Sequence, residues 1–238
     1  MIRSLLQFFL NIFFGVLFRL EKKEEVKNFD EVCNLYAQGG FGELFAKIRI
    51  WDAPIEDLEN LVPQKGLVID LGCGDGLITN YIALKSSERQ LVGIDKNRSR
   101  IKEASRGVAN AKFFYGDVLS KQVPKADAVL MVHLLHHLPS YQNQEALIQK
   151  CRSKLRKGGK LVIAEIDRKP ILKYLLTWLV DRIVFPILFE GKIYSKEIFY
   201  RKTDEWKKLL TELGFKVDVQ EAHLKKPFSH VILIGEKC

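Results

Sequence analysis

The run Val68-Ile69-Asp70-Leu71-Gly72-Cys73-Gly74-Asp75-Gly76 carries the densest chemical signal in the sequence. A short apolar stretch enters a glycine-rich turn and LITNYIALK follows, so a strand, a tight turn and a helix are expected in succession. Glycine in such a turn lets the backbone approach a ligand where a Cβ would collide. A glycine-rich turn is weak by itself, because nucleotide-binding domains of many kinds have one. Here the spacing is Gly-x-Gly-x-Gly, and Leu77 stands where a dinucleotide fingerprint wants its last glycine, which argues against nicotinamide or flavin dinucleotides. About 20 residues beyond the turn, Asp95 ends the run LVGID, where a carboxylate can accept from both hydroxyls of a ribose. Asp117 ends FFYGD, in place to accept from an exocyclic amine. Either acid alone is more often a solvated strand terminus. A glycine turn, an Asp and an Asp ending three consecutive strands form a pattern that chance explains poorly.

A second group of reactive side chains follows the fourth apolar run, which delivers Met131, Val132 and His133, then His136 and His137. The fifth run delivers Glu165 and Asp167. His133 is the candidate general base near neutral pH; the plain alternative is that it only packs or caps. His136 and His137 are assigned to that structural class. No metal site is expected, since no cluster of carboxylates or thiols accompanies the histidines at ligand spacing. The four cysteines, Cys33, Cys73, Cys151 and Cys238, include no CxxC pair and read as reduced thiols in a cytosolic setting.

The elements that must position these residues are legible as texture. LVIDL (67–71), QLVGID (90–95), AKFFYGD (111–117), ADAVLMV (126–132) and GKLVIAEI (159–166) are β-branched, nearly continuous apolar runs, as strands covered on both faces require. The stretches between them are long enough for crossover helices, and Leu147, Cys151 and Leu155, with Ile148 beside them, make one apolar helical face. Alternating βα units predict a doubly wound α/β sheet with its crevice beyond the strand C-termini. Towards the C-terminus, Thr203 is the expected N-cap of DEWKKLLTEL, which Gly214 terminates. FKVDVQEAHL and SHVILIGEK then read as strands, and their short link makes them antiparallel neighbours. With 238 residues, 47% apolar and 28% charged, the chain suits one large domain. The expected organisation is an apolar N-terminal helix (1–20), a helical cap (21–60) broken at Gly39-Gly40, and a main domain (61–238) carrying an insertion at 168–202.

The motifs DLGCGDG, GID, GDV, DAVLMVHLLHHLP and LRKGGKLVIAE together resemble the class I S-adenosylmethionine-dependent methyltransferase superfamily, in its small-molecule "methyltransferase domain" branches. The resemblance is close from Leu67 to Glu165 and looser beyond. It implies a Rossmann-like, mostly parallel sheet of seven strands with an antiparallel last strand, and S-adenosylmethionine as cofactor. It also implies that Asp70, Gly72, Cys73 and Gly74 hold the methionine part. Asp95 would bind the ribose with Lys96 beside the adenine, Asp117 the adenine amine and Val118 its ring edge, with Val132 on the cofactor side. The Asn/Asp-Pro-Pro-aromatic signature of nucleic-acid base amino methylases is absent, and the equivalent stretch reads MVHLLHHLP.

The acceptor side rests on two greasy segments. Ile2 to Leu20 is apolar and rich in phenylalanine, with Gln7, Asn11 and Gly15 recurring every four residues. Between Arg3 and Arg19 it falls short of the roughly 20 residues a bilayer crossing needs. An interfacial helix, a lid packed on the domain and a signal segment are the open readings, although no A-x-A-like site precedes the charged run that follows. In the insertion, ILKYLLTWLVDRIVFPILF carries Lys173, Thr177 and Asp181 at four-residue spacing. These segments would enclose an apolar substrate, lie on an anionic membrane, or simply cap the core. A net charge of +9 favours anionic surfaces and solubility alike. The expected function is methyl transfer to a small lipophilic or lipid-like acceptor at the cytoplasmic membrane face. RNA or protein methylation and a non-catalytic cofactor-binding subunit are the alternatives. Nucleic acid is disfavoured because no basic platform interleaved with aromatics is present.

Overall fold

Continuous apolar runs end up in the middle of the sheet and alternating ones at its edges. In the computed structural model, which describes residues 29–37, 46, 49–184, 198–222, 226 and 228–238, seven strands form one sheet. They are β1 (Gly66–Leu71), β2 (Arg89–Asp95), β3 (Ala111–Tyr115), β4 (Ala126–Val132), β5 (Leu155–Ile166), β6 (Phe215–Glu221) and β7 (His230–Lys237), in the order β3-β2-β1-β4-β5-β7-β6. β7 runs against both its neighbours, β5 and β6, and every other pairing is parallel. Edge strand β6 alternates buried Phe215 with Lys216, Asp218 and Gln220, charges and amides that protect an unpaired edge.

Side chains alternate across the sheet, so the chain builds a core on each face. Val68, Leu130, Val162 and Ile232 point to one face, covered by Tyr36 of α1 (Phe29–Tyr36), Leu58 of α2 (Ile55–Leu61) and Ile82 of α3 (Leu77–Lys85). Ile69, Met131, Ile163 and Leu233 point to the other. There they meet Ile148 and Cys151 of α5 (Tyr141–Lys154) and Trp206 of α7 (Thr203–Glu212). The short α4 (Arg98–Ala104) is capped by the Asn97 side chain, which accepts from the Ser99 and Arg100 amides. The order of strands reverses between β1 and β4, and a sheet of this kind takes its ligand at that switch point, beyond the C-terminal ends of the strands.

The expected doubly wound sheet with an antiparallel last strand is present, and several details differ from the sequence reading. β3 stops at Tyr115, so Asp117 lies two residues beyond the strand, in the following turn. Leu155 is buried as expected but opens β5 instead of closing α5, and β5 starts four residues before Gly159 across a register shift against β4. Thr203 is the first helical residue of α7; the cap is Lys202, whose amide donates to Glu205 Oε2 at 2.8 Å. The Thr203 hydroxyl instead donates to Asp167. In the insertion, α6 (Ile171–Leu179) continues as a π-helical turn, Val180–Val184. The apolar segment 1–20, the Gly39-Gly40 break and the second half of the insertion, 185–197, lie outside the described residues.

Candidate active site

The glycine turn leaves β1 and is bound at once to β2: the Gly72 and Cys73 amides both donate to the Ile94 carbonyl, at 2.8 and 3.1 Å. Gly72 takes φ +74°, and a Cβ there would stand 2.7 Å from Leu134 Cδ1 in the loop after β4. No side chain fits between the two loops that flank the switch point, so the position requires glycine on both counts. Gly74, also at positive φ, donates its amide to Asp95 Oδ2 at 3.0 Å. The other Asp95 oxygen accepts from the Asn97 amide at 2.8 Å. Next along the edge, the Gly116 amide donates to the Asp95 carbonyl, which sets Asp117 beside Asp95. One Asp117 oxygen accepts from the Leu119 amide, and Val118 turns inward. Lys96 is exposed, and its charge reaches His137.

The structure therefore brings Gly72, Cys73, Gly74, Asp95, Asp117 and Val118 along one edge, with Val132 and His133 across the switch point. Asp70 is set apart. It is buried behind the turn, and the Thr79 hydroxyl donates to it at 2.6 Å, tying β1 to α3. Burial pushes its carboxyl up to about 7, with Thr79 opposing and the Asp95 charge adding to the rise. Tyr36 closes the turn from above: its hydroxyl donates to the Asp75 carbonyl and accepts from Asn80.

On the β4–β5 side two hydrogen-bonded clusters occupy the same edge. In the first, buried Glu165 accepts from the Leu135 amide at 2.7 Å and from His136 Nδ1 at 2.5 Å. Burial works against charge on His136, but Glu165 and then Asp181 override it and raise its proton affinity. Tyr200 stacks on that ring and donates to Asp181 at 2.7 Å. This cluster fastens the insertion to the sheet. Glu165 and Asp167 are thereby engaged in structural bonds, the latter to Thr203 and the Arg168 amide.

The second cluster centres on His133, the one described non-glycine residue at positive φ (+50°), a strained geometry for its side chain. Its Nε2 lies 3.1 Å from His230 Nδ1, and His230 Nε2 lies 2.9 Å from Asp52 Oδ1. Arg49 Nη1 closes the ring, 3.3 Å from Asp52 Oδ2 and 3.4 Å from His133 Nδ1. Burial holds His133 well below the ordinary imidazole range, and His230, Arg49, His136 and His137 push the same way. Arg49 also opposes the rise that burial imposes on the carboxyls of Asp70 and Asp75, so its charge faces the glycine turn.

Sequence reasoning missed Arg49, Asp52 and His230. One signal was available for His230: an antiparallel last strand must begin at the edge where its parallel neighbours end, so its first residue enters the crevice. Among the described residues no group of three or more His, Cys, Asp or Glu is arranged to hold a metal ion.

Known proteins agree with this fold. A family model described as "Methyltransferase domain" matches residues 45–220. Ubiquinone biosynthesis O-methyltransferase of Coxiella burnetii is 29% identical over 192 residues, 77% of this chain and 79% of that protein. Daphnetin O-methyltransferase 1 of Secale cereale is 30% identical over 63% of this chain, which spans 41% of that protein's length. Three of the curated relatives are longer proteins, of which the chain spans 29% to 41%. In fold it is similar to magnesium protoporphyrin IX methyltransferase of Synechocystis, solved with S-adenosylhomocysteine. That likeness has a TM-score of 0.60 at 19% identity and covers 90% of this chain and 95% of that one. The chain belongs to the methyltransferase-domain family of the class I S-adenosylmethionine-dependent superfamily.

Proposed function

We propose that the chain methylates a small lipophilic acceptor, with S-adenosylmethionine as the donor. The carrying observation is the edge on which the glycine turn, Asp95 and the Gly116-Asp117 turn are joined by backbone hydrogen bonds, with His133 opposite. The residues fit the cofactor. A Cβ at Gly74 would meet only Arg100 Nη1, at 3.6 Å, so the turn leaves room there for the amino-acid end, and Arg49 is the cation for its carboxylate. Each Asp95 oxygen accepts one backbone amide and has a second lone pair for a ribose hydroxyl. Asp117 would accept the adenine amine over Val118, with Lys96 alongside. When bound, the cofactor supplies a methyl group on a sulfonium already charged for in-line displacement. The chain then has to orient the acceptor, exclude water and take its proton. His133, neutral near pH 7, is our candidate base.

The lipophilic acceptor is supported by α6, which turns Leu172 (79% exposed), Ile171 and Leu175 outward beside the crevice. The named acceptor chemistry of the ubiquinone and daphnetin O-methyltransferases supports small hydroxyl-bearing molecules. Contact with an anionic membrane is the setting we favour, because this apolar face accompanies the greasy segment 2–20 and a net charge of +9. No described helix is long and apolar enough to cross a bilayer. Isothermal titration should show binding of S-adenosylmethionine and S-adenosylhomocysteine and none of NAD. A labelled-methyl screen of quinols, small phenols, lipid extracts and RNA should label the first three classes. NAD binding alone would refute the donor, and labelling of RNA alone would refute the acceptor class.

A further inference from the structure

We propose that Asp52, His230 and His133 form a proton relay, in which Asp52 and His230 are positioning residues that act through His133 on a proton-bearing acceptor. The inference rests on the methyltransferase reading above and specifies its acceptor as one that must lose a proton, such as a phenolic or enolic hydroxyl.

The three residues come from distant parts of the chain. Asp52 belongs to the helical residues 49–52, His133 follows β4 directly, and His230 begins β7. Only the reversed direction of β7 brings its first residue to the edge where β4 ends. The direction of every bond in the chain follows from one donor. A guanidinium has no acceptor, so His133 Nδ1, facing Arg49, is unprotonated and its Nε2 carries the hydrogen. His133 Nε2–H then donates to His230 Nδ1, and His230 Nε2–H donates to Asp52 Oδ1. His230 and Asp52 are buried, which keeps water from the middle of the chain, whereas His133 remains partly accessible from the crevice. The φ of +50° and the bond from its amide to the Ala164 carbonyl hold the His133 ring where both nitrogens are engaged.

The proton bookkeeping closes. The incoming hydroxyl displaces Arg49 from Nδ1, where its contacts to His133 and Asp52 are both long. The acceptor's proton moves to His133 Nδ1 and its electron pair stays on the oxygen. The Nε2 proton of His133 shifts to His230 Nδ1, and the Nε2 proton of His230 to Asp52 Oδ1. Both rings end neutral and the carboxylate ends protonated. The groups facing His133 are Arg49 from residues 49–52, His230 from β7, and His136 and His137 from the turn after β4. All of these disfavour a lone imidazolium, so a carboxylate reached through His230 supplies what the site otherwise lacks.

The test uses full-length protein saturated with S-adenosylhomocysteine at pH 7.5, with diethyl pyrocarbonate as the probe and His133 modification followed by mass spectrometry. Asp52→Asn should slow modification of His133 about three- to tenfold, because a less basic nitrogen is a poorer nucleophile, while S-adenosylhomocysteine affinity stays within about threefold. His230→Gln should slow it similarly, and carries the test if Asp52→Asn does not fold. A merely structural network predicts the opposite, faster modification as the site loosens; an unchanged or faster rate, or no modification in the unaltered protein, overturns the relay. Failure of the unaltered protein to bind S-adenosylhomocysteine overturns the methyltransferase reading beneath it, whatever the histidines do.

Discussion

Asp70 and Asp95 end adjacent strands and live in opposite electrical settings. Asp70 is buried with one hydroxyl donor, and its carboxyl is pushed from an ordinary 3.8 to about 7. With the folded value above the unfolded one, its contribution to stability is full below pH 3.8 and is lost as pH rises through 7. Asp70→Asn keeps an oxygen for Thr79 and never ionises. We therefore expect the variant to match the unaltered protein in thermal unfolding at pH 4 and to exceed it at pH 8. The gain should be on the order of 1–3 kcal/mol, the range for an under-compensated buried polar group. A constant difference across that pH range would count against a titrating Asp70. Asp95 instead has backbone donors on both oxygens. Asp95→Ala should weaken S-adenosylmethionine binding by titration calorimetry by on the order of 1–3 kcal/mol, and Asp95→Asn by less. Equal affinities would mean that the ribose lies elsewhere. These acids were legible in the sequence because each lies at the C-terminal end of its own strand. Asp52 and His230 were not, since 178 residues separate partners that only β7's direction brings together.

Helix α6 shows that a correctly read period leaves open which side faces the domain. Lys173, Thr177 and Asp181 recur at helical spacing, and an apolar helix with a narrow polar stripe is expected to turn that stripe to water. Here the stripe faces inward. Thr177 is buried and meets the Ser229 amide, Lys173 reaches the Lys226 carbonyl, and Asp181 receives Tyr200 beside His136. What decides this is the polarity of the surface beneath the helix, assembled from the residues just before β7, the turn after β4 and the segment before α7. None of these is near α6 in sequence. The apolar side is left outward, with Leu172 at 79% and Leu175 at 52% exposure. Replacing both with glutamate should change unfolding free energy by no more than about 0.5 kcal/mol, as exposed sites do. The same change should reduce retention on anionic vesicles several-fold in flotation assays. Undiminished retention would remove α6 from the membrane-facing surface, and a large loss of stability would mean that this face is covered in solution.

At the scale of the molecule, the strand order and the switch point follow from features that a sequence displays well. Continuous apolar runs mark covered parallel strands, alternating ones mark edges, and a short link marks an antiparallel pair. The ligand crevice expected of this fold lies beyond the ends of β1 and β4, on a sheet with a core on each face. A ligand seated there bridges the loops of β1, β2 and the turn after β3, so binding should stabilise the whole fold and not one loop. At a hundredfold excess over its dissociation constant, a ligand that binds only the folded state adds about 2.7 kcal/mol. For a chain of this size that corresponds to a rise in Tm of roughly 5–10 °C. We expect S-adenosylhomocysteine to produce such a rise in scanning calorimetry and NAD at the same concentration to produce none. Asp95→Ala should lose roughly a third to nine-tenths of the rise at that concentration, because weaker binding lowers the saturation from which the shift arises. An equal shift with NAD, or none with either compound, would mean that this crevice is not an adenosyl-sulfonium site.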